Sequence, residues 1–279
     1  MRIFLIVNLL IIALMLSLLG LVWAKPVDEH TMCLLNFDKD SLVLDGGKLT
    51  KVKDFSGNGN DGLVNTQGGK KAVNPGVQPS GPPKSVEGKF GEALYFDGTN
   101  YLEVLDSKTM DISDQITMEA WVKPEVLVVS GDSMSVTTKD VAYYMQVRNG
   151  KIGNYFYDVN PPGYHLSKKN IKIGDWTHIA VTYDGKEKVF YINGEEDSRV
   201  KATGGIRMND ESLGIAAEVR VPARGAPNHR FYKGIIDEVR ISNIARTPAE
   251  IKESFQNGLG MSVNLKDKLT ITWGQLKQD

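Results

Sequence analysis

Apolar residues alternate with polar ones, or with other apolar ones, through most of this chain, which is the two-residue period of strands that bury at least one face. The clearest stretch is Trp176 to Gly194, WTHIAVTYDGKEKVFYING. In its first run Ile179, Val181 and Tyr183 point one way and His178, Ala180 and Thr182 the other. In its second run, Lys188 to Ile192, Val189 and Tyr191 oppose Phe190 and Ile192. Asp184-Gly185 between them tolerates the positive φ of a tight turn, so the stretch is predicted to be a hairpin. Both faces carry apolar side chains, which predicts cover on both sides or a central place in one sheet of a sandwich. Asn193-Gly194 turns the chain again and extends the hairpin to a meander.

The same reading gives the other elements. Met32 to Phe37 is a first strand with Cys33, Leu35 and Phe37 on one face. Glu92 to Phe96 and Asn100 to Val104 read as a hairpin across Asp97-Gly98. Gln115 to Val122 places Ile116, Met118, Ala120 and Val122 together. Val126 to Lys139 is polar and reads as strand plus loop. Ala142 to Arg148 and Lys151 to Tyr157 form a hairpin around Asn149-Gly150, Ser212 to Ala217 is a short strand, and Ile235 to Ile241 closes the series. Thr66 to Ser85, with Pro75, Pro79, Pro82 and Pro83, and Pro222 to Arg230 read as loops. One helix is predicted: Thr247 caps it, Pro248 suits its first turn, Glu250 completes a capping box, and it ends near Asn257-Gly258. In the tail, Leu269, Ile271 and Trp273 alternate with Thr270 and Thr272, as in an edge strand or a partner contact.

The first residues belong to targeting and not to the fold. Arg2 precedes an apolar run, Ile3 to Leu19, broken only by Asn8 and Ser17, and Val22-Trp23-Ala24 offers a cleavage site after Ala24. Residues 1–24 are therefore a signal peptide or an uncleaved anchor, since a span needs about 20 residues. Either way the body is expected outside the cytoplasm: secreted, periplasmic or at the cell surface. Cys33 is the only cysteine, which excludes an intrachain disulfide and reads as a buried, inert thiol. A net charge of −1 provides no basic field for nucleic acid, and contact with a membrane is expected only through an uncleaved leader.

W-T-H-I-A-V-T-Y-D-G followed by V-F-Y-I-N-G resembles the central hairpin of the laminin-G-like jelly rolls of the concanavalin A-like lectin and glucanase superfamily. DFSGNGNDG from Asp54, GKFGEALYFDGTNYLEV from Gly88 and GIIDEVRISNIARTPAEI from Gly234 match the same pattern in order. The resemblance runs from about Cys33 to about Leu259. It implies an all-β, two-sheet antiparallel jelly-roll sandwich with a short C-terminal helix over residues 25–264, leaving 265–279 as an extension.

Three chemistries can be weighed on that frame. Some relatives in the superfamily are glycoside hydrolases, which need two carboxylates roughly 5 to 5.5 Å apart, or further for inversion. Here Asp237-Glu238 is the nearest pair, and neighbours on a regular strand face opposite ways. Glu119 stands alone, and His178 reads as a framework residue, so an enzyme is not expected. The resemblance also implies a structural calcium tying first strand to last, with Asp38 and Asp237 as ligands; the alternative is that both cap turns or pair with Arg240 or a lysine. Asp97 is a third candidate, or serves its own turn. Asp54, Ser56, Asn58 and Asn60 space oxygens like half a calcium loop, but Asn65 stands where such loops use a bidentate Glu, which favours a turn-rich loop. For carbohydrate, Asn154, Tyr155, Tyr157, Asp158, Asn160, Tyr164 and His165 offer aromatic faces, amides and a carboxylate, although some of these aromatics could equally fill the core. The expected role is a lectin-like module for a glycan or glycoconjugate. The alternative is an adhesive protein that binds a protein partner through the Trp273 tail or the Gly/Pro loop.

Overall fold

The computed structural model describes residues 27–64, 80–127, 133–219 and 230–259. In chain order the strands are β1 (Thr31–Leu35), β2 (Leu42–Asp45), β3 (Lys48–Val52), β4 (Gly62–Val64), β5 (Lys84–Glu87), β6 (Glu92–Asp97), β7 (Leu102–Val104), β8 (Ile116–Pro124), β9 (Ser133–Lys139), β10 (Tyr143–Arg148), β11 (Lys151–Phe156), β12 (His165–Leu166), β13 (Thr177–Tyr183), β14 (Glu187–Ile192), β15 (Glu195–Lys201), β16 (Leu213–Ile215) and β17 (Lys233–Ser242), followed by helix α1 (Pro248–Asn257). The leader, most of the Thr66–Ser85 loop, residues 222–229 and the Lys266–Asp279 tail lie outside the described residues. No described helix is long and apolar enough to cross a membrane.

Two antiparallel sheets form the jelly-roll sandwich. The eight-stranded sheet runs β15-β14-β13-β8-β17-β6-β5, with β1 also on β17, and the nine-stranded sheet runs β12-β11-β10-β9-β16-β7-β4-β3-β2. One core joins them. Ile116, Met118, Ala120 and Val122 share it with Ile179, Val181, Tyr183, Phe190 and Ile192 of the predicted hairpin, and with Leu102, Val136, Met145, Ile152 and Ile215 of the other sheet.

The central hairpin is covered on both faces, as its composition required. On its outer side α1 packs Ile251 against Ala180, Val189 and Tyr191, and Phe255 stacks on Trp121 with ring centroids 5.4 Å apart. Gly194 makes this approach possible: its φ is 76°, and a Cβ there would come within 2.9 Å of Phe255. The capping box is present, with Thr247 Oγ1 accepting from the Glu250 N–H at 3.3 Å and Glu250 Oε2 accepting from the Thr247 N–H at 2.8 Å. Thr247→Ala is expected to cost about 1 kcal/mol, measured as a shift in the urea midpoint.

Two expectations are corrected. The first strand ends at Leu35, because Phe37 takes a left-handed φ of 58° and leaves the sheet while its ring stays in the core. Asp97-Gly98 is not a hairpin turn: β6 pairs with β5 and β17, whereas β7 pairs with β4 and β16 in the other sheet. Asp97 Oδ1 accepts from the Thr99 N–H and hydroxyl, both at 2.8 Å, and Asn100 Oδ1 accepts from the Asp97 N–H. These bonds build a corner that carries the chain from one layer to the next.

Candidate functional site

The β10–β11 register sets Tyr144 opposite Tyr155. Because Tyr143, Met145 and Val147 enter the core, this pair faces out of the nine-stranded sheet. Tyr157 and Tyr164 close around them: ring centroids lie 4.5 Å apart for Tyr155 and Tyr157, 5.3 Å for Tyr155 and Tyr164, and 5.6 Å for Tyr144 and Tyr157. Tyr144 is buried and the other three are half-buried. Arg148 lies over the Tyr164 ring at 4.5 Å, and Arg207 over Tyr157 at 5.5 Å. Arg207 also forks onto Asp158 through bonds of 2.5 and 2.8 Å. Burial pushes the Tyr164 phenol up to about 12. The Tyr144 phenol is held higher still by burial and by the carboxylates of Glu218 and Asp140, the latter accepting its proton in a hydrogen bond.

Across the sheet the same outer row continues from Tyr155 and Tyr144 to Thr138, Gly214 and Glu103. Glu103 and Thr138 are buried, and Glu218, also buried, pairs with Arg230 beside them on the segment that roofs Gly214. The face thus joins three part-exposed aromatic rings to a buried polar floor.

Of the residues the sequence singled out, Tyr155, Tyr157, Asp158 and Tyr164 come together here. Asn154 does not: it stands opposite Met145, faces the core and donates to the Tyr144 carbonyl at 2.8 Å. His165, opposite Asn154, also turns inward, and its Nδ1 lies 3.4 Å from Lys188 Nζ. Asn160 lies at the margin, its backbone paired with Thr203. Sequence reading missed Tyr144, Arg148, Arg207 and Glu218. Alternation along YYMQVR, folded about Asn149-Gly150, was enough to find the first two; Arg207 and Glu218 arrive from distant loops with no local signal.

The carboxylates sort differently. Asp38 and Asp237 straddle the Gly88–Gly91 turn: Asp38 Oδ1 accepts from the Glu92 N–H at 3.1 Å, and Asp237 Oδ2 accepts from the N–H groups of Lys89 at 2.8 Å and Phe90 at 3.1 Å. The glycines admit this approach, since a Cβ at Gly88 would come within 2.7 Å of Asp237 Oδ2 and one at Gly91 would collide with Asp38 Oδ1. Asp237 Oδ1 is buried without a hydrogen-bond partner among the described residues, and burial, with the charge of Asp38, raises the Asp237 carboxyl to about 7. An orphaned, buried oxygen beside a second carboxylate fits a hard cation. Asp97 lies at the other end of β6, about 16 Å of strand away, serving the corner described above. Asp54 spends both oxygens on the N–H groups of Leu34, Ser56 and Asn60 and on the Ser56 hydroxyl, as a turn organiser does.

Glu119 is not alone. Arg240 lies on the neighbouring strand and holds it through bonds of 2.5 and 2.7 Å, and His178 Nε2 stands 3.3 Å away, all under α1. Nor do Asp237 and Glu238 face opposite ways. A bulge between Asp237 and Arg240 turns both toward the helix side, Asp237 onto the 88–91 turn and Glu238 onto the Leu259 N–H.

This sandwich, with its aromatic outer face, is that of a lectin-type jelly roll. The chain belongs to the concanavalin A-like lectin/glucanases superfamily: the sequence profile of Laminin_G_3 matches residues 96–252, more than half of its length. It is similar to pappalysin-1 of Mus musculus, 25% identical over a 200-residue alignment that covers 65% of this chain, and to that of Homo sapiens, 25% identical over a 178-residue alignment that covers 57%. It spans only 12% and 11% of those proteins. Among solved structures, domain 4 of AbnA, a GH43 extracellular arabinanase from Geobacillus stearothermophilus in complex with arabinotriose, superposes with a TM-score of 0.58 at 21% identity, covering 81% of this chain and 98% of that domain. The binding domain of Paraclostridial Mosquitocidal Protein 1 gives 0.57 at 16% identity, covering 81% of this chain and 52% of that one.

Proposed function

We propose that this chain is an exported, non-catalytic module that binds a glycan or glycoconjugate through the outer face of the nine-stranded sheet, with a structural calcium held by Asp38 and Asp237. The observation that carries the reading is the clustering of Tyr144, Tyr155, Tyr157 and Tyr164 with Arg148, Arg207 and Asp158. Aromatic faces take the apolar side of a sugar ring, while the guanidinium and carboxylate groups around them match hydroxyls that would otherwise be buried unpaired. The arabinotriose complex of the arabinanase domain, and a botulinum neurotoxin DC binding domain described in complex with SialylT, support a sugar-directed use of this fold. A non-catalytic role is supported by the way Asp237, Glu238 and Glu119 are committed to backbone N–H groups or to Arg240. Export is supported by the apolar leader.

Calcium would draw on the Asp38 and Asp237 carboxylates and tie the chain after β1 to β17. A glycan array of the full chain tests the main reading. Tyr157→Ala and Tyr164→Ala are each expected to lower the retained signals by about tenfold, the scale of an aromatic anchor in a binding site, with melting temperature as the folding control. Absence of any glycan signal, or signals untouched by both substitutions, would refute the assignment.

A further inference from the structure

We infer that His165 and Lys188 form a latch between the two sheets that acidification opens, releasing the loop that carries Tyr157 and Tyr164. The register turns both side chains inward, His165 half-buried on the edge strand opposite Asn154 of β11, Lys188 between Tyr183 on β13 and Val200 on β15. Lys188 is wholly buried, with its Nζ 4.8 Å from the centre of the Phe156 ring and 3.4 Å from His165 Nδ1. An ammonium group only donates, so the bond needs a neutral imidazole nitrogen to accept it. Protonated His165 has no acceptor to offer and would set two cations against each other in an apolar setting.

The surrounding charges leave that conflict without relief. Asp184 accepts from the N–H groups of Lys186 and Glu187, Glu187 pairs with Arg199, Asp197 holds the N–H groups of Lys168 and Lys169, and Asp158 pairs with Arg207. Tyr183 donates to the Gly204 carbonyl, and Arg199 and Lys201 alternate with inward-facing Val200 and so turn the other way. Burial, then the Lys188 charge, holds His165 below the ordinary histidine value, and burial lowers Lys188 to about 8. In neutral solution the pair is therefore imidazole and ammonium. Because the folded-state value of His165 is depressed, the stability the latch contributes is complete above the ordinary histidine value of about 6.5 and is lost as pH falls from there through the lower folded-state value.

The latch matters because the loop has few other ties to the sheets. β12 pairs with β11 at only two positions, the other backbone bonds join Tyr157 to Ala142 and Arg207, Asn160 to Thr203 and Ser167 to Ile152, and Asp158 is held by Arg207, itself on a loop. Its consequence for ligand release rests on the glycan reading, but its test does not. Hydrogen exchange of the full chain at pH 7.5 and pH 5.0, scaled for intrinsic rates, would follow the amides of Tyr157, Asn160 and Ser167. Their protection is expected to fall at least tenfold at the lower pH while β8 stays protected. His165→Asn keeps an acceptor without titrating, and Lys188→Met removes the opposing cation; each is expected to shrink the fall to less than twofold. Unchanged protection in the native chain, or a full fall in whichever variants fold, would overturn the latch. No sugar enters the experiment, so a failed glycan array leaves its outcome readable.

Discussion

Replacing Arg240 by alanine is expected to cost about 3–5 kcal/mol of folding stability, because it strips a fully buried carboxylate of its counter-charge. Glu119 is 0% exposed, and Arg240 is bonded to it through Nε and Nη2 while also donating to Ser254 on α1 at 2.8 Å. Burial alone would push the Glu119 carboxyl up; the Arg240 charge, with the His178 contact, holds it at about 2 instead. The folded-state value is thus depressed, so the stabilisation is complete above the unfolded value of about 4.5 and is lost as pH falls from there toward 2, amounting to about 3 kcal/mol. Urea unfolding at pH 7 and pH 3 would measure both effects. Removing the pair together, as Glu119→Leu with Arg240→Met, is expected to recover most of the loss, since a buried pair contributes little beyond an apolar replacement of similar volume. A cost below about 1 kcal/mol for Arg240→Ala would mean that the pair behaves as an exposed one.

That pair also marks where sequence reading stops. Glu119 and Arg240 are neighbours only through the β8–β17 register, and no local pattern announces a partner so distant along the chain. By contrast, the central hairpin, the Asn149-Gly150 hairpin and the capping box were legible, because alternation and turn chemistry act over a few residues. Asp184-Gly185 and Asp97-Gly98 show the limit of such signals. Asp184 accepts from the N–H groups of Lys186 and Glu187 and closes a hairpin, whereas Asp97 and Asn100 build a corner between layers. The dipeptide fixes the backbone of a turn but not the sheet that the next strand joins. At the candidate site the difference has another origin. Alternation already put Asn154 on the face opposite Tyr155, yet nearness in sequence grouped them, as it grouped His165 with Tyr164. The bulge at Asp237 is a third kind of case, since an extra residue in one strand reverses the facing that regular alternation predicts.

Asp237 is expected to carry the second large effect, in which the proposed calcium and a rise in pH act in opposite directions. With calcium chelated, its buried carboxyl is raised to about 7 by burial and by Asp38, so the folded form holds a proton that the unfolded chain gives up near 3.8. A raised acid of this kind makes stability fall as pH climbs from about 4 to about 7, by about 4 kcal/mol across the window. Asp237→Asn removes that cost, because an amide keeps an oxygen for the Lys89 and Phe90 N–H groups and can turn its NH2 toward Asp38. In chelator the variant is therefore expected to melt above the native chain at pH 7.5 and close to it at pH 4.5. Calcium is expected to narrow that gap at pH 7.5. A cation beside Asp38 and Asp237 favours both ionised carboxylates, and at a hundred times its dissociation constant it adds about 2.7 kcal/mol to the native chain. That corresponds to about 5–10 °C in melting temperature for a domain of this size, and the asparagine variant should not show it. Melting curves of both proteins at the two pH values, with chelator and with calcium, separate the two contributions. An unchanged midpoint on adding calcium would remove the metal while leaving the pH effect standing, and stability that rises with pH in chelator would mean that the Asp237 carboxyl is ionised and paired in the folded protein.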